Sequence, residues 1–367
     1  KNKTISNQKF SACYTFEGLK KIKVDSLEAG DIIALAGVDN IHIGDTISCN
    51  NNPIPLPRIE VDKPTVSMTF QVNDGPFSGR DGKYLTSRNL SDRFNKELLK
   101  NVSLRIKQTE DTNIFKVSGR GELQMAVLIE TMRREGYEFL VSKPRVITQK
   151  KDGKIFEPFE KVYLDIKEEH VGVVTEKLSV RKGKMLNLQN NGFGRVLLEF
   201  LVPSRGLIGF RGHFIVDTNG SGIINSLFDS YNSWKGSIPQ RNSGVIVADR
   251  RGKVTGYACL ALEDRGVLFC SPGDEVYRGM VVGERNKRDD LEVNITREKK
   301  LTNMRASTSE STVLIKSPKK MTLDQCIEFI SDDEFIEITP KNIYLRKMEL
   351  DPNIRISKKR KEKLYNS

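Results

Sequence analysis

The chain has 367 residues, 37% hydrophobic and 29% charged, with 60 Lys and Arg against 48 Asp and Glu, a net charge of +12. That length exceeds one ordinary core and predicts two to four domains, while no run approaches the roughly 18 apolar residues of a membrane helix. The positive excess fits a nucleic-acid partner, and cysteines at 13, 49, 259, 270 and 326 without any CxxC argue for a reducing compartment and against a zinc site.

The N-terminus has no Met and no apolar signal core, which reads as a piece of a longer protein. Leu27–Ile47 places Gly-Asp pairs between short apolar runs, as in a small β-barrel, and Pro53, Pro55 and Pro57 then mark a linker. Val66, Met68, Phe70 and Val72 alternate as a strand, and the Gly-rich NDGPFSGRDGK follows. A helix is predicted from Ser87 to Lys100, then strands through Val102–Ile106 and Phe115–Val117. A second helix over GELQMAVLIETMRREG follows, with Leu123, Val127 and Met132 inward and Gly136 as its stop. A strand through Tyr137–Val141 completes a β-α-β-β-α-β unit.

The same order returns. Val162–Ile166 forms a strand, His170–Arg181 a helix ending at Gly183, and Met185–Leu188 and Arg195–Val202 two strands. Ser204 caps a helix reaching about Val216, and Ser221–Asp229 is a last strand. The expected fold class is therefore multidomain α+β. It comprises a β-barrel (1–62), two ferredoxin-like βαββαβ domains (63–150 and 151–233) and a strand-rich C-terminal α+β domain (234–367). In the last segment GVIVADRRGKVTGYACLAL reads as a hairpin-like pair of apolar runs, Thr322–Ile330 as a short helix and Ile343–Arg346 as a final strand.

Between these elements lies a long polar stretch, Arg285–Val313, with almost no apolar periodicity. Seven basic and four acidic residues fall between Arg285 and Arg305. Such a loop inside a compact domain is either functional or a solvated mobile segment. The tail ISKKRKEKLYNS, with Lys358, Lys359, Arg360 and Lys361, is expected to be disordered and to screen phosphates without sequence choice.

Two nucleotide-binding look-alikes are coincidental. Asn286–Asp289 spells NKxD and Asp217–Gly220 spells DxxG, but a GTP site needs a GxxxxGK[ST] loop. The Gly-Lys pairs at Gly82, Gly153, Gly183 and Gly252 lack both the following Ser/Thr and the earlier Gly. No catalytic residue is assigned, no metal ligands cluster, and His42, His170 and His213 stand far apart. In SRGLIGFRG, Gly206, Gly209 and Gly212 recur every three residues, at about 1 kcal/mol each against Ala in a helix. They read as one small face for close approach of a sheet or an RNA backbone, with Arg205 and Arg211 beside it to meet phosphates. The SGRGEL turn before the second helix permits a tight strand-to-helix passage or a contact role.

The barrel's GDTI, the SGRGEL-led repeat and the second βαββαβ unit resemble the C-terminal part of translational GTPases of the elongation factor G type. SRGLIGFRG, DRRGK, EDRG, SPGDEVYRGMVVGE, KKLTNMRAS and MTLDQCIEFISDDEFIEITP are similar specifically to the BipA (TypA) family, over essentially the whole chain. The resemblance implies a separate GTP-binding domain holding GTP and Mg2+, and no cofactor or catalysis in this chain. It implies a monomeric cytoplasmic or organellar protein that docks on the ribosome, ribosomal RNA and A-site tRNA, and serves stress or cold adaptation and large-subunit assembly. The KKLTNMRAS loop would reach toward the tRNA acceptor end. There Arg297, Lys299, Lys300 and Arg305 would meet phosphates, and Thr302, Asn303 and Met304 sugars or bases. In this superfamily GEL often continues with His; Gln124 stands there, which keeps hydrogen bonding but removes a titratable role. A translocation factor of elongation factor G or LepA type, and a protein-interaction scaffold without RNA, are the alternatives.

Overall fold

The computed structural model describes residues 9–38, 41, 43–48, 51, 54, 56–57, 63–190, 192–238, 241, 243–299 and 315–365, apart from the side chains of 359 and 362–365. The chain divides into two compact units, 1–61 with 96–102, and 62–95 with 103–367. In the first, β1 (Ala12–Glu17) pairs antiparallel with β2 (Lys20–Lys23) and β3 (Ala34–Ala36). Among the described residues this sheet does not close into the expected barrel. Gly30, Gly37 and Gly44 all take positive φ and cut the Leu27–Ile47 run into pieces too short to pair around a cylinder, leaving Ile32, Ile33, Ile43 and Ile47 exposed.

The chain continues with β4 (Val66–Val72), α1 (Ser87–Lys100), β5 (Arg105–Gln108), β6 (Ile114–Gly119), α2 (Glu122–Arg134) and β7 (Phe139–Ser142). The sheet order is β7-β4-β6-β5, so the first strand lies between the third and the fourth. Phe70 of β4 packs edge-on to Phe94 of α1 and stacks on Phe139 of β7, all three fully buried. The Gly-rich turn after β4 is wound around one buried carboxylate. Glu138 accepts the backbone N–H groups of Gly79, Asp81 and Gly82 at 2.8, 3.0 and 2.6 Å. The inner face of α2 is Met125, Ala126, Leu128, Ile129 and Met132; Leu123 and Val127 face solvent, against expectation. Leucine at the first turn fits either of two stripes, and the stripe through 125, 128, 129 and 132 collects more apolar residues.

After β8 (Arg145–Val146) and β9 (Gln149–Lys151) the order repeats. It runs β10 (Lys154–Lys167), α3 (Val171–Val180), β11 (Lys184–Asn190), β12 (Arg195–Pro203), α4 (Ser204–Leu207), α5 (Phe210–Asp217) and β13 (Ile223–Ser233). The sheet order β11-β12-β10-β13 matches that of the first repeat. Val162, Leu164 and Ile166 of β10 and Val196, Leu198 and Phe200 of β12 are buried in one core with Val174, Leu178, Phe210 and Phe214. The single helix expected from Ser204 to Val216 is two: Ile208 is extended and Gly209 sits at φ +74 between them. The three glycines therefore share no face. Gly206 lies against the Arg181 carbonyl, where an added Cβ would approach to 2.7 Å, whereas Gly212 has nothing within 4 Å.

The last segment holds β14 (Val245–Ala248), β15 (Gly252–Lys253), α6 (Gly256–Leu262), β16 (Gly266–Leu268), β17 (Glu275–Val276), β18 (Met280–Arg285) and β19 (Leu291–Val293). It ends with α7 (Leu323–Phe329), β20 (Glu334–Ile338), β21 (Ile343–Lys347) and α8 (Pro352–Tyr365). GYACLAL is helical rather than the second arm of a hairpin: the Thr255 hydroxyl caps it at the Ala258 N–H, and Ala258, Cys259 and Leu262 fill one face. The tail through Tyr365 is also helical, with Pro352 in the first turn and Asp351 accepting the Asn353 N–H at 2.8 Å. Strand β20 pairs antiparallel with β7, so residues 63–150 and the last segment share one sheet. The join is sealed by Glu337, whose buried carboxylate accepts the Asn73 amide at 2.8 Å and the Tyr277 hydroxyl.

Candidate nucleic-acid interface

The polar stretch is shorter than its sequence suggests. Arg285 belongs to β18, and 291–293 form β19, parallel to β14. The NKxD look-alike is a structural turn: Asp289 pairs with Arg285 at 2.5 Å, and Asp290 pairs with Lys347 at 2.9 Å. The DxxG look-alike ends α5, with Asp217 bound to Lys177 at 2.6 Å.

The chain then reaches Arg297 and Lys299, both exposed. Lys300, Thr302, Asn303, Met304 and Arg305 lie outside the described residues. Both ends of this segment are fastened to α6. On one side the Thr255 hydroxyl donates to the Arg297 carbonyl at 2.5 Å, and the Arg297 guanidinium stands 5.8 Å from the Tyr257 ring. On the other, Lys316 N–H donates to Glu263 Oε1 at 2.8 Å, and Ile315 packs against the buried core around Cys259. A seven-residue helix thus sets the spacing of the two ends through residues flanking each terminus. None of Thr255, Tyr257 or Glu263 was singled out by sequence reasoning; the N-cap threonine before an apolar helix is the signal that could have found the first.

The remaining sequence-predicted cations separate by partner. Arg205 is spent inside the fold: its guanidinium grips the fully buried Glu157, donates to the Gly236 carbonyl at 2.5 Å and stacks 3.8 Å from the Trp234 ring centre. A buried carboxylate without that partner would be costly, so folding takes the cation first and the expected phosphate role is not available to it. Arg211 is exposed on α5 and has no ion pair among the described residues. In α8, Lys358 pairs with Glu349 at 3.1 Å, while Arg360 and Lys361 are exposed. The structure does not bring these sets together into one patch with Arg297 by any described contact.

A cavity of about 640 Å3 lies elsewhere in this unit, lined by Lys143, Arg145, Arg181, Arg205, Trp234 and Arg241 among others. Sequence reasoning had singled out only Arg205 of these. Beside it is a titratable cluster. Glu122 Oε2 accepts the Gly209 N–H at 2.7 Å, and burial pushes the Glu122 carboxyl up to about 7, helped by Asp324 and Glu328. Glu328 itself takes His213 Nε2 at 2.8 Å and Arg181 at 3.4 Å. Gln124, where the superfamily often has His, accepts the Arg120 N–H at 2.8 Å and donates to the Ser103 hydroxyl at 2.5 Å. Cys270 and Cys326 are buried thiols pushed up to about 12, ill suited to nucleophilic or redox work. Among the described residues no group of His, Cys, Asp and Glu could hold a metal ion, and no helix is long and apolar enough to cross a membrane.

Two families of known proteins match segments of the chain. Residues 243–352 match the TypA/BipA C-terminal domain family and residues 154–242 the elongation factor G C-terminus family. Proteins named large ribosomal subunit assembly factor BipA are similar along most of the chain. That of Escherichia coli K12 is 48% identical over 339 residues, 92% of this chain and 56% of the relative. That of Bacillus subtilis 168 is 44% identical over 361 residues, 98% and 59%, and that of Synechocystis PCC 6803 is 47% identical over 345 residues, 94% and 58%. The chain thus spans a little over half the length of these relatives. A solved structure from Thermus thermophilus aligns at 14% identity and a TM-score of 0.35, over 61% of this chain and 49% of that one, too distant to carry an argument. By its two matched segments and its identity to these relatives, the chain belongs to the BipA (TypA) family.

Proposed function

We propose that this chain is the ribosome- and RNA-binding portion of a BipA-type translational GTPase that acts in large-subunit assembly. In this reading GTP and Mg2+ belong to a separate domain, this chain turns over no GTP, and it works as a monomer in the cytoplasm or an organelle. The repeated 2-3-1-4 strand order supports reading 63–150 and 151–233 as ferredoxin-like domains. The names of the relatives support the ribosome as partner. The observation that carries a contact role for the segment after Arg297 is its anchorage at both ends of α6, between the Thr255 hydroxyl and the Glu263 carboxylate. With α6 fixing where the segment leaves and rejoins the fold, Arg297, Lys299, Lys300 and Arg305 would meet phosphates, and Thr302, Asn303 and Met304 sugars, bases or a tRNA acceptor end. Ribosomal RNA and A-site tRNA are the proposed targets, and stress or cold adaptation the setting.

The test is co-sedimentation of the chain with ribosomes across a salt series. Lys299, Lys300 and Arg305 replaced together by Ala should weaken pelleting and flatten its salt dependence, because fewer counterions are released. Unaltered pelleting by that triple variant sinks the contact-segment reading, and salt-insensitive binding to protein without RNA supports the scaffold alternative instead.

A further inference from the structure

The 640 Å3 cavity falls within the roughly 300–1,000 Å3 of small-molecule sites. Its lining combines Trp234 with apolar Val146, Ile208, Ile238 and Ile330. The Trp234 main chain is fixed by its backbone N–H, which donates to the Ile155 carbonyl at 3.0 Å, and Arg205 lies 3.8 Å over the ring, yet the residue stays 43% exposed. Guanidinium and indole planes are the surfaces on which unpaired bases stack.

The wall cations are not equivalent. Arg205 and Arg241 are neutralised by Glu157 and Glu334, whose side chains are wholly buried, and Arg181 donates to the Gly206 and Ile208 carbonyls. Arg145 differs in its exposure. Arg145 meets Asp332 at 3.0 Å, but both side chains are more than half exposed, so water screens the pair and a competing anion can exchange for it. Burial, with Arg241 and Arg145 nearby, pulls the Lys143 ammonium below its usual range against the attraction of Asp332 and Glu334. An incoming anion would favour the charged ammonium and offset that shift.

We propose that this cavity binds one unpaired nucleotide, its base against the Trp234–Arg205 stack and its phosphate at Lys143 and Arg145. Neither Arg297 nor Lys299 is among its described lining residues, and the proposal rests on the ribosome reading only for RNA as the source of the nucleotide. Trp234 is the single tryptophan of the chain, so its fluorescence reports the site directly. The chain is titrated with AMP, a short single-stranded oligoadenylate, a blunt RNA duplex and inorganic phosphate. Saturable quenching by AMP or the oligonucleotide is expected, and Lys143→Ala with Arg145→Ala should raise the Kd about tenfold without moving Tm. Tighter binding of the oligonucleotide than of AMP assigns the nucleotide to a strand, and equal binding assigns it to the free pool. A Trp234→Phe chain, read by anisotropy of a labelled oligonucleotide, keeps a stacking ring and should still bind. Quenching by duplex or by phosphate alone as strong as by AMP overturns the proposal, as does no saturable quenching or an unchanged Kd in the double variant. Loss of ribosome pelleting in the Lys299/Lys300/Arg305 variant with AMP quenching intact would separate this site from the proposed function.

Discussion

Glu122, the first residue of α2, reaches 87 positions along the chain to accept the backbone N–H of Gly209 at 2.7 Å. Gly209 is the left-handed break between α4 and α5, so one carboxylate at a helix N-terminus holds the kink of the other repeat. The glutamate of GEL and the central glycine of SRGLIGFRG, which look like separate motifs in the sequence, are two halves of one joint.

That joint is pH-dependent. Burial, and then the nearby Asp324 and Glu328, push the Glu122 carboxyl from 4.5 to about 7, against the Gly209 N–H and Arg181. The folded protein therefore binds this proton more tightly than the unfolded chain. The resulting stability is complete below about 4.5 and is lost as pH rises through about 7. Glu122→Gln keeps a carbonyl acceptor for Gly209 but cannot ionise. Its Tm should equal that of the parent near pH 5 and exceed it at pH 8, by on the order of 2 kcal/mol in unfolding free energy. Equal Tm values at both pH values would remove Glu122 as the source.

Arg205 and Arg211, six residues apart in one Gly-rich motif, should behave oppositely. Arg205→Ala strands the fully buried Glu157 carboxylate and removes the guanidinium over Trp234, so chemical denaturation should show a loss of about 3–5 kcal/mol. Arg211→Ala touches an exposed side chain and should stay within about 0.5 kcal/mol of the parent. If Arg211 faces RNA, that variant pellets less well with ribosomes at unchanged Tm. A stable Arg205→Ala chain would mean Glu157 finds another partner.

Alternation and helical spacing made β4, α1, β10 and β12 legible, because Val66–Val72, Leu90 with Phe94, and Val162–Ile166 each bury one face against a core. What local pattern does not encode is partnership at a distance. That Arg205 belongs to Glu157, that Lys143, Arg241 and Trp234 line one cavity, and that β7 adds β20 as a neighbour are set by the assembly of segments. The glycine triplet misled for a related reason. Its three-residue spacing is periodic, but a left-handed Gly209 between two short helices destroys the common face that periodicity implies.

Lys347 shows how the polar half of the last segment is held. Its ammonium is 1% exposed and lies 2.9 Å from Asp290, 3.0 Å from Asp333 and 2.9 Å from Glu334, which also binds Arg241. Although burial pulls it down, the three carboxylates raise the Lys347 ammonium above its usual range. Lys347→Ala would leave three acidic groups facing one another around a gap and should lower stability by about 3–5 kcal/mol at pH 7. Lowering the pH toward 4 should narrow the difference, as the stranded carboxylates protonate more readily than those of the parent. A deficit that stays constant with pH would assign the loss to packing alone.

Gly209 and Gly212 give the sharpest separation of backbone need from sequence rhythm. At Gly209, φ is +74, and an added Cβ would stand 2.3 Å from Cδ of Glu328, the residue that pairs with Arg181 and His213. Gly209→Ala therefore meets both left-handed strain and a displaced carboxylate beside Glu122, and should cost on the order of 1–3 kcal/mol. Gly212 is helical within α5 and open around its Cα. Gly212→Ala should gain up to about 1 kcal/mol by reducing the freedom of the unfolded chain. Thermal melts of the two single variants read both effects. A stabilising Gly209→Ala would show that α4 and α5 can fuse into one helix, and a destabilising Gly212→Ala would show that something approaches that face which the fold itself does not supply.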